Sequence, residues 1–207
     1  MDRSEKFWDR AAKTYDRDEM GNKPTTIKII EKTREYLDDS DILLDYGCGT
    51  GRISIELAGA VREIHGLDTA SKMIEIARNN VDRQKLTNID FAHATLFDER
   101  YQAGTFDVIL AFYVLHLLEN ANAVINRMNE LLRPGGMLIS VTPCLGEKQT
   151  FLRLSLSFLS KIGLVPGIHA FRLAELKDAF LGGNFEIIET ECIHPTEGQY
   201  FIAARKL

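Results

Sequence analysis

Cysteine is scarce in this chain, and the three present cannot form a framework. Cys48, Cys144 and Cys192 are odd in number, far apart and without a C-x-x-C pair. Neither a disulfide-stapled fold nor a zinc site is indicated, so reduced thiols and no metal are expected. No apolar run approaches the roughly 20 residues of a membrane helix. Met1-Asp2-Arg3-Ser4-Glu5 opens a polar segment rather than the basic and apolar regions of a signal peptide, so a cytoplasmic protein is expected. Basic charge is not in excess: 25 Lys and Arg against 30 Asp and Glu give a net charge of −5. Phosphate binding normally needs a basic face, which argues against nucleic acid as a partner. The densest basic cluster, Lys23, Lys28, Lys32 and Arg34, is interleaved with acids and reads as a solvated helix face. What is present is the composition of an ordinary globule: 207 residues, 45% hydrophobic and 27% charged, enough for one domain over 1–207 with a full core.

The most informative stretch is Ile42-Leu43-Leu44-Asp45-Tyr46-Gly47-Cys48-Gly49-Thr50-Gly51-Arg52, a buried strand breaking into a glycine-rich turn and then a helix. Glycines at alternate positions permit positive φ and close backbone approach to a ligand. A P-loop needs Lys then Ser/Thr after its last glycine, but Gly51 is followed by Arg52 and Ile53. The dinucleotide fingerprint wants a third small residue where Arg52 stands. The carboxylate two residues before Gly47 suits a cationic ligand better than a phosphate. Downstream, Ile64-His65-Gly66-Leu67-Asp68 reads as the next strand ending in an acid that can accept ribose hydroxyls. The alternative for Asp68 is an N-cap for the helix beginning at Ser71.

In this order and spacing the two segments resemble the class I S-adenosylmethionine (SAM)-dependent methyltransferases. The resemblance implies SAM as cofactor, Asp45 near its ammonium group and Asp68 on its ribose, with Gly47, Cys48, Gly49 and Gly51 beneath the methionine part. Thr69 and Met73 are expected to flank the adenine, with Met73 as plain core the competing reading. The family's adenine-binding Asp is replaced here by Ala94 and Thr95, so backbone groups, the Thr95 hydroxyl and neighbouring Leu96 are expected to substitute.

The rest of the chain alternates strand and helix, as in a parallel sheet with right-handed crossovers. Strands are expected at Ile42–Asp45, Glu63–Asp68, Ile89–Ala94, Phe106–Phe112 and Met137–Thr142, with helices beginning near Arg52, Ser71, Asn120 and Glu147. Arg133-Pro134-Gly135-Gly136 reads as the turn ending a helix over Ala121–Leu132. Phe185–Cys192 and Gln199–Lys206 are separated by too short a link for a helix and should pair antiparallel. The fold class expected is α/β, a three-layer α/β/α sandwich around a mostly parallel seven-stranded sheet with an antiparallel C-terminal hairpin strand. Thr25 is a candidate cap for a helix turning Ile27, Ile30 and Leu37 inward. Trp8, Ala11, Ala12 and Tyr15 share a helical stripe. Plain packing and a lid over 1–38 with Tyr15 on the cofactor are about equally supported by that stripe, and the resemblance favours the lid. The apolar run Phe151–Ile162 reads as a helix in a 147–180 region that is either sheet-flanking or a substrate-site insertion.

Methyl transfer from a sulfonium gains much of its rate from alignment and water exclusion. A general base, where one is needed, belongs near the end of the fourth strand, around Ala111 and Phe112. His116, with an ordinary pKa near 6.5, and Tyr113 are the candidates there. His116 as a structural residue is equally consistent with the sequence. The segment Phe112–Leu118 resembles that of small-molecule methyltransferases, including those of quinone biosynthesis, which implies a small-molecule acceptor. Two alternatives stay open: a SAM-binding regulatory protein without turnover, and a nucleotide-dependent oxidoreductase.

Overall fold

The computed structural model describes residues 3–19, 23–147 and 167–207. Seven strands form one sheet: β1 (Ile42–Tyr46), β2 (Glu63–Asp68), β3 (Ile89–His93), β4 (Phe106–Phe112), β5 (Leu132–Pro143), β6 (Phe185–His194) and β7 (Gln199–Lys206). Their order is β3-β2-β1-β4-β5-β7-β6. β1 to β5 pair in parallel, and β7 runs antiparallel between β5 and β6. The helices are α1 (Arg3–Glu19), α2 (Lys23–Arg34), α3 (Arg52–Leu57), α4 (Ser71–Gln84), α5 (Ala121–Leu131) and α6 (Leu173–Gly182). Strand order reverses at β1, which pairs with both β2 and β4, and that reversal opens a crevice at the carboxyl ends of the central strands.

Alternate residues of the strands feed two cores. Leu44, Phe106 and Ile109 pack with Ile125, Met128 and Phe180 of α5 and α6 on one face. Leu43, Val108 and Ile139 pack with Ile29, Leu57 and Phe201 on the other. β4 is buried at Phe106 and from Val108 to Phe112, as expected of a strand covered on both sides. The expected α/β sandwich with its C-terminal hairpin is therefore what forms. Among the described residues no helix is long and apolar enough to cross a membrane.

Several local expectations are corrected. α2 begins at Lys23, so Thr25 lies inside the helix rather than capping it. Its buried face carries Ile29 and Ile30, while Ile27 is 45% exposed. Two basic residues of α2, Lys28 and Lys32, are paired rather than free on a solvated face, while Arg34 is exposed as expected. Lys32 Nζ lies 2.6 Å from Glu189 and 2.7 Å from Glu191, Lys28 Nζ lies 2.6 Å from Glu191, and the Tyr36 hydroxyl donates to Glu189 at 2.6 Å. Lys32 also sits over the Phe201 ring. Burial opposes its charge, but the two carboxylates outweigh burial and raise its pKa. The network pins α2 to β6.

Arg133–Gly136 is an irregular stretch inside β5 rather than a turn before it. Leu132 pairs with Phe106 and pairing resumes at Met137 with Val108. A Cβ on Gly136 would lie 2.8 Å from the Asp107 carbonyl oxygen, and Arg133 is held by Asp107 at 2.6 Å. α5 begins near Asn120 as expected, and the Asn120 side chain caps it by accepting from Ala123 N at 3.0 Å. After β5 comes a single 3-10 turn, Leu145–Glu147. The Phe151–Ile162 helix expected from sequence lies outside the described residues. The described end of the 147–180 region is α6, which buries Leu176 and Phe180 against the sheet.

Candidate cofactor cleft

Gly47, Gly49 and Gly51 have φ of 76°, 54° and 77°. The Gly47 and Cys48 N–H groups both donate to the Leu67 carbonyl, at 2.8 and 3.0 Å, which ties the loop to β2. The three glycines serve different ends. A Cβ on Gly47 would lie 2.9 Å from Val114, and one on Gly51 would collide with the Phe91 ring. At Gly49 a Cβ would meet only Tyr15 Cε1, at 3.7 Å. Gly47 and Gly51 are thus small because protein packs against them, whereas Gly49 has room for a Cβ beside Tyr15.

Two carboxylates flank this loop. Asp68, at the end of β2, accepts from Gly49 N at 3.0 Å and from Ala70 N at 2.8 Å. It therefore spans the loop and the start of α4, whose N-cap Ala70 has no side chain to offer. Burial raises the Asp68 pKa against the opposing effect of these backbone donors. Asp45 is 3% exposed and accepts from the Ser54 hydroxyl at 2.5 Å. Burial pushes its pKa up to about 6, the Ser54 bond opposing and the Asp68 charge adding.

The end of β4 forms the opposite wall. Ala111 is fully buried and Phe112 is 6% exposed. Tyr113 takes φ of 54°, unfavourable for a bulky residue, while its N–H still donates to Val141 at 2.8 Å. Its hydroxyl donates to Gln199 Oε1 at 2.9 Å, and Gln199 is itself bonded to Glu197. Strained backbone of this kind collects at ligand sites. His116 lies on the following 3-10 turn, where its carbonyl accepts from His169 N at 2.7 Å. Its Nδ1 is buried without a hydrogen-bond partner among the described residues, and burial pushes its pKa down to about 4 rather than leaving it near 6.5.

One cleft here is lined by Tyr15, Thr26, Asp45, Gly47, Cys48, Thr50, Arg52, Ile53, Phe112 and Tyr113, and Gly49, Gly51, Asp68 and Ala111 are not among its lining residues. A family model described as "Methyltransferase domain" matches residues 37–178, and that stretch takes in the glycine loop, both acids and the β4 wall. The chain belongs to the methyltransferase domain family. It is 34% identical over 100 residues to a ubiquinone biosynthesis O-methyltransferase of Cereibacter sphaeroides, covering 48% of this chain and 40% of that one. It is 30% identical over 99 residues to a demethylmenaquinone methyltransferase of Bacillus mycoides, covering 46% and 42%. The matched stretch thus spans well under half of either relative. A SAM-dependent methyltransferase structure from Methanosarcina mazei superposes with a TM-score of 0.69 at 22% identity, covering 84% of this chain and 95% of the other.

Within this methyltransferase domain the other sequence candidates are spread more widely. Tyr15 and Trp8 of α1 pack around Ala12, Ala70 and Met73, which puts Met73, 2% exposed, in the seam between α1 and α4. α1 is anchored there by Asp9, which accepts from Lys72 N at 2.9 Å in the first turn of α4. Thr69 is exposed, and its carbonyl lies 2.9 Å from His93 Nε2. Ala94 N donates to the Asp68 carbonyl at 3.1 Å, Thr95 is exposed and bonded to Phe97 N, and Leu96 is fully buried. His116 is not among the cleft-lining residues. The cleft also contains four residues that motif reading passed over: Thr26, Thr50, Arg52 and Ile53. Thr50, Arg52 and Ile53 could have been taken from the loop itself. Thr26 carried no signal, because only the docking of α2 brings it there.

Proposed function

We propose that this chain binds SAM across the glycine loop and catalyses transfer of its methyl group to a small-molecule nucleophile. The observation that carries this is the pair of carboxylates beside the glycine loop, Asp45 lining the cleft and Asp68 holding Gly49 N, with open space at Gly49. Two acids, one buried and one half-buried, repel a pyrophosphate and favour a ligand with a cation at one end and hydroxyls nearby. Asp45 would take the ammonium and Asp68 the ribose hydroxyls. Gly47, Cys48, Gly49 and Gly51 would underlie the methionine chain, with Ala111 and Phe112 beside it. Thr69, Ala94, Thr95 and Leu96 would border the adenine. α1 and the start of α2 form the lid of a single domain, with Tyr15 over Gly49 and Met73 serving the seam beneath it.

The bound cofactor supplies a sulfonium-activated methyl group. Phe112 and Tyr113 supply the wall that aligns an acceptor and excludes water. Of the two acceptor-side candidates Tyr113 is favoured, because it lines the cleft and its hydroxyl is fixed by Gln199. His116 lies off the cleft, and near pKa 4 it is a weak base at neutral pH. The aromatic wall, and the names of the quinone-pathway relatives, support an apolar phenol or quinol as acceptor, methylated in the cytoplasm. SAM binding without turnover is the second reading, favoured by the lack of a strong base among the cleft-lining residues.

Calorimetric titration with SAM, S-adenosylhomocysteine and NADH tests the proposal. Saturable binding of both adenosyl ligands, with none of NADH, is expected. Failure of both adenosyl ligands, or tight NADH binding, would overturn it. Formation of S-adenosylhomocysteine with a panel of phenols and quinols then separates turnover from binding alone.

A further inference from the structure

Tyr113 is joined to the C-terminal hairpin through a chain of side chains. Its hydroxyl donates to Gln199 Oε1 at 2.9 Å, and the Gln199 amide nitrogen donates in turn to Glu197. Gln199 opens β7, where it pairs with Pro143 of β5 and His194 of β6, and it is 6% exposed. Glu197 is exposed in the link between β6 and β7, and its backbone N–H donates to His194 Nδ1 at 3.2 Å. The chain therefore runs from the surface, through a buried amide, to a residue that lines the cleft.

The order of donors along this chain is fixed at its outer end. An ionised carboxylate has acceptor positions and no proton to give. Glu197 accordingly holds the amide nitrogen of Gln199, which turns the amide oxygen toward Tyr113. A buried amide oxygen left unpaired is costly, so the Tyr113 proton is drawn to it. A phenolic hydroxyl has one proton to give. With that proton on the Gln199 side, the Tyr113 oxygen meets a ligand as an acceptor and not as a donor.

We propose that Glu197 and Gln199 are positioning residues that set this polarity, so that the cleft selects methyl acceptors arriving with an O–H, N–H or S–H to donate to Tyr113. The proposal rests on the reading of the cleft above and adds to it the protonation state of the incoming nucleophile. Hydroxyl, amine and thiol acceptors are favoured. A carboxylate, which offers lone pairs and no proton, is turned away.

The test compares p-cresol with 4-methylanisole, a phenol and its methyl ether, by NMR titration of the S-adenosylhomocysteine complex. Wild type should bind p-cresol about 2- to 10-fold more tightly, the scale of one neutral hydrogen bond. Glu197→Lys replaces the outer acceptor with a donor. The new ammonium donates to the Gln199 oxygen, the amide nitrogen turns to Tyr113, and the Tyr113 proton is released to the cleft, so the preference should disappear. The paired exchange Glu197→Gln with Gln199→Glu should restore it, because the carboxylate then accepts from Tyr113 directly. S-adenosylhomocysteine affinity checks that the cleft persists in each variant, and Glu197→Lys decides by itself if the exchange fails to fold. Equal wild-type binding of the two probes, binding of neither, or a preference that survives Glu197→Lys would overturn the proposal. So would loss of the preference in a folded paired exchange, which would mark a purely structural role. Failure of S-adenosylhomocysteine to bind would instead remove the cofactor reading, while the same probes titrated into the protein without it still test the polarity.

Discussion

Asp45→Asn should separate the stability of this domain from its ligand binding. Burial raises the Asp45 pKa from 3.8 to about 6. At about 1.36 kcal/mol per unit, that rise corresponds to about 3 kcal/mol of folding free energy lost at neutral pH. The sign follows from proton uptake. Between pH 4 and 6 the folded state holds a proton that the unfolded chain releases, so the penalty grows as pH rises and is complete above pH 6. The wild-type profile will not reveal this, because His116 works in the opposite direction. Its pKa falls from 6.5 to about 4, so the folded state loses stability as pH drops through that window. The two effects largely cancel, and the variant-minus-wild-type difference isolates Asp45. Asn can still accept the Ser54 hydroxyl, but its new N–H groups lack assured partners and cost about 1–2 kcal/mol at every pH. That term shifts the difference curve without tilting it. Urea unfolding at pH 4.5, 6 and 8 should therefore give a difference rising by about 2–3 kcal/mol in favour of the variant. S-adenosylhomocysteine affinity should fall about 10- to 100-fold. A difference curve flat with pH would refute the buried, raised carboxylate, and unchanged affinity would remove Asp45 from the ligand.

Gly49→Ala should fold with a loss of about 1–2 kcal/mol for positive φ while weakening S-adenosylhomocysteine binding; Gly51→Ala should destabilise much more, because its Cβ meets Phe91. Equal stability of the two in urea would contradict the division between packed and open glycine positions. Asp68→Ala should cost about 1.5–3 kcal/mol of S-adenosylhomocysteine affinity, and unchanged calorimetric affinity would take Asp68 out of the site. The stability of His116→Leu relative to wild type should rise by up to about 3 kcal/mol as pH falls from 7 to 4.5, and a difference in urea melts that is flat with pH would mean the ring is not the source. Lys32→Ala should lower stability by about 1–3 kcal/mol, whereas a surface pair would register almost nothing by the same assay.

Which features could be read from the sequence follows from the range of the forces involved. Strand, loop and helix around Asp45–Arg52 were legible because they depend on neighbours in sequence, as were the β6–β7 hairpin, set by its short link, and the start of α5 near Asn120. The orientation of α2 was not. Lys28 and Lys32 are 163 and 157 residues from the acids that hold them, and without the β6 register they look like solvated charges. The same holds for the glycines, whose spacing gives φ but not whether Val114, Phe91 or a ligand occupies the space of a Cβ. Tyr113 bore no mark of its positive φ, which occurs with its N–H bonded to Val141 and its hydroxyl to Gln199, both remote in sequence. Asp68 corrects the helix-cap alternative: the N-cap of α4 is Ala70, with no side-chain cap bond, and Asp68 accepts the Ala70 N–H ahead of the helix. A carboxylate has about four acceptor positions. The N–H groups of Gly49 and Ala70 engage one on each oxygen. Those bonds fix the plane of the group and tie its position to the loop, which would pre-orient the remaining acceptor positions for the hydroxyl donors proposed above.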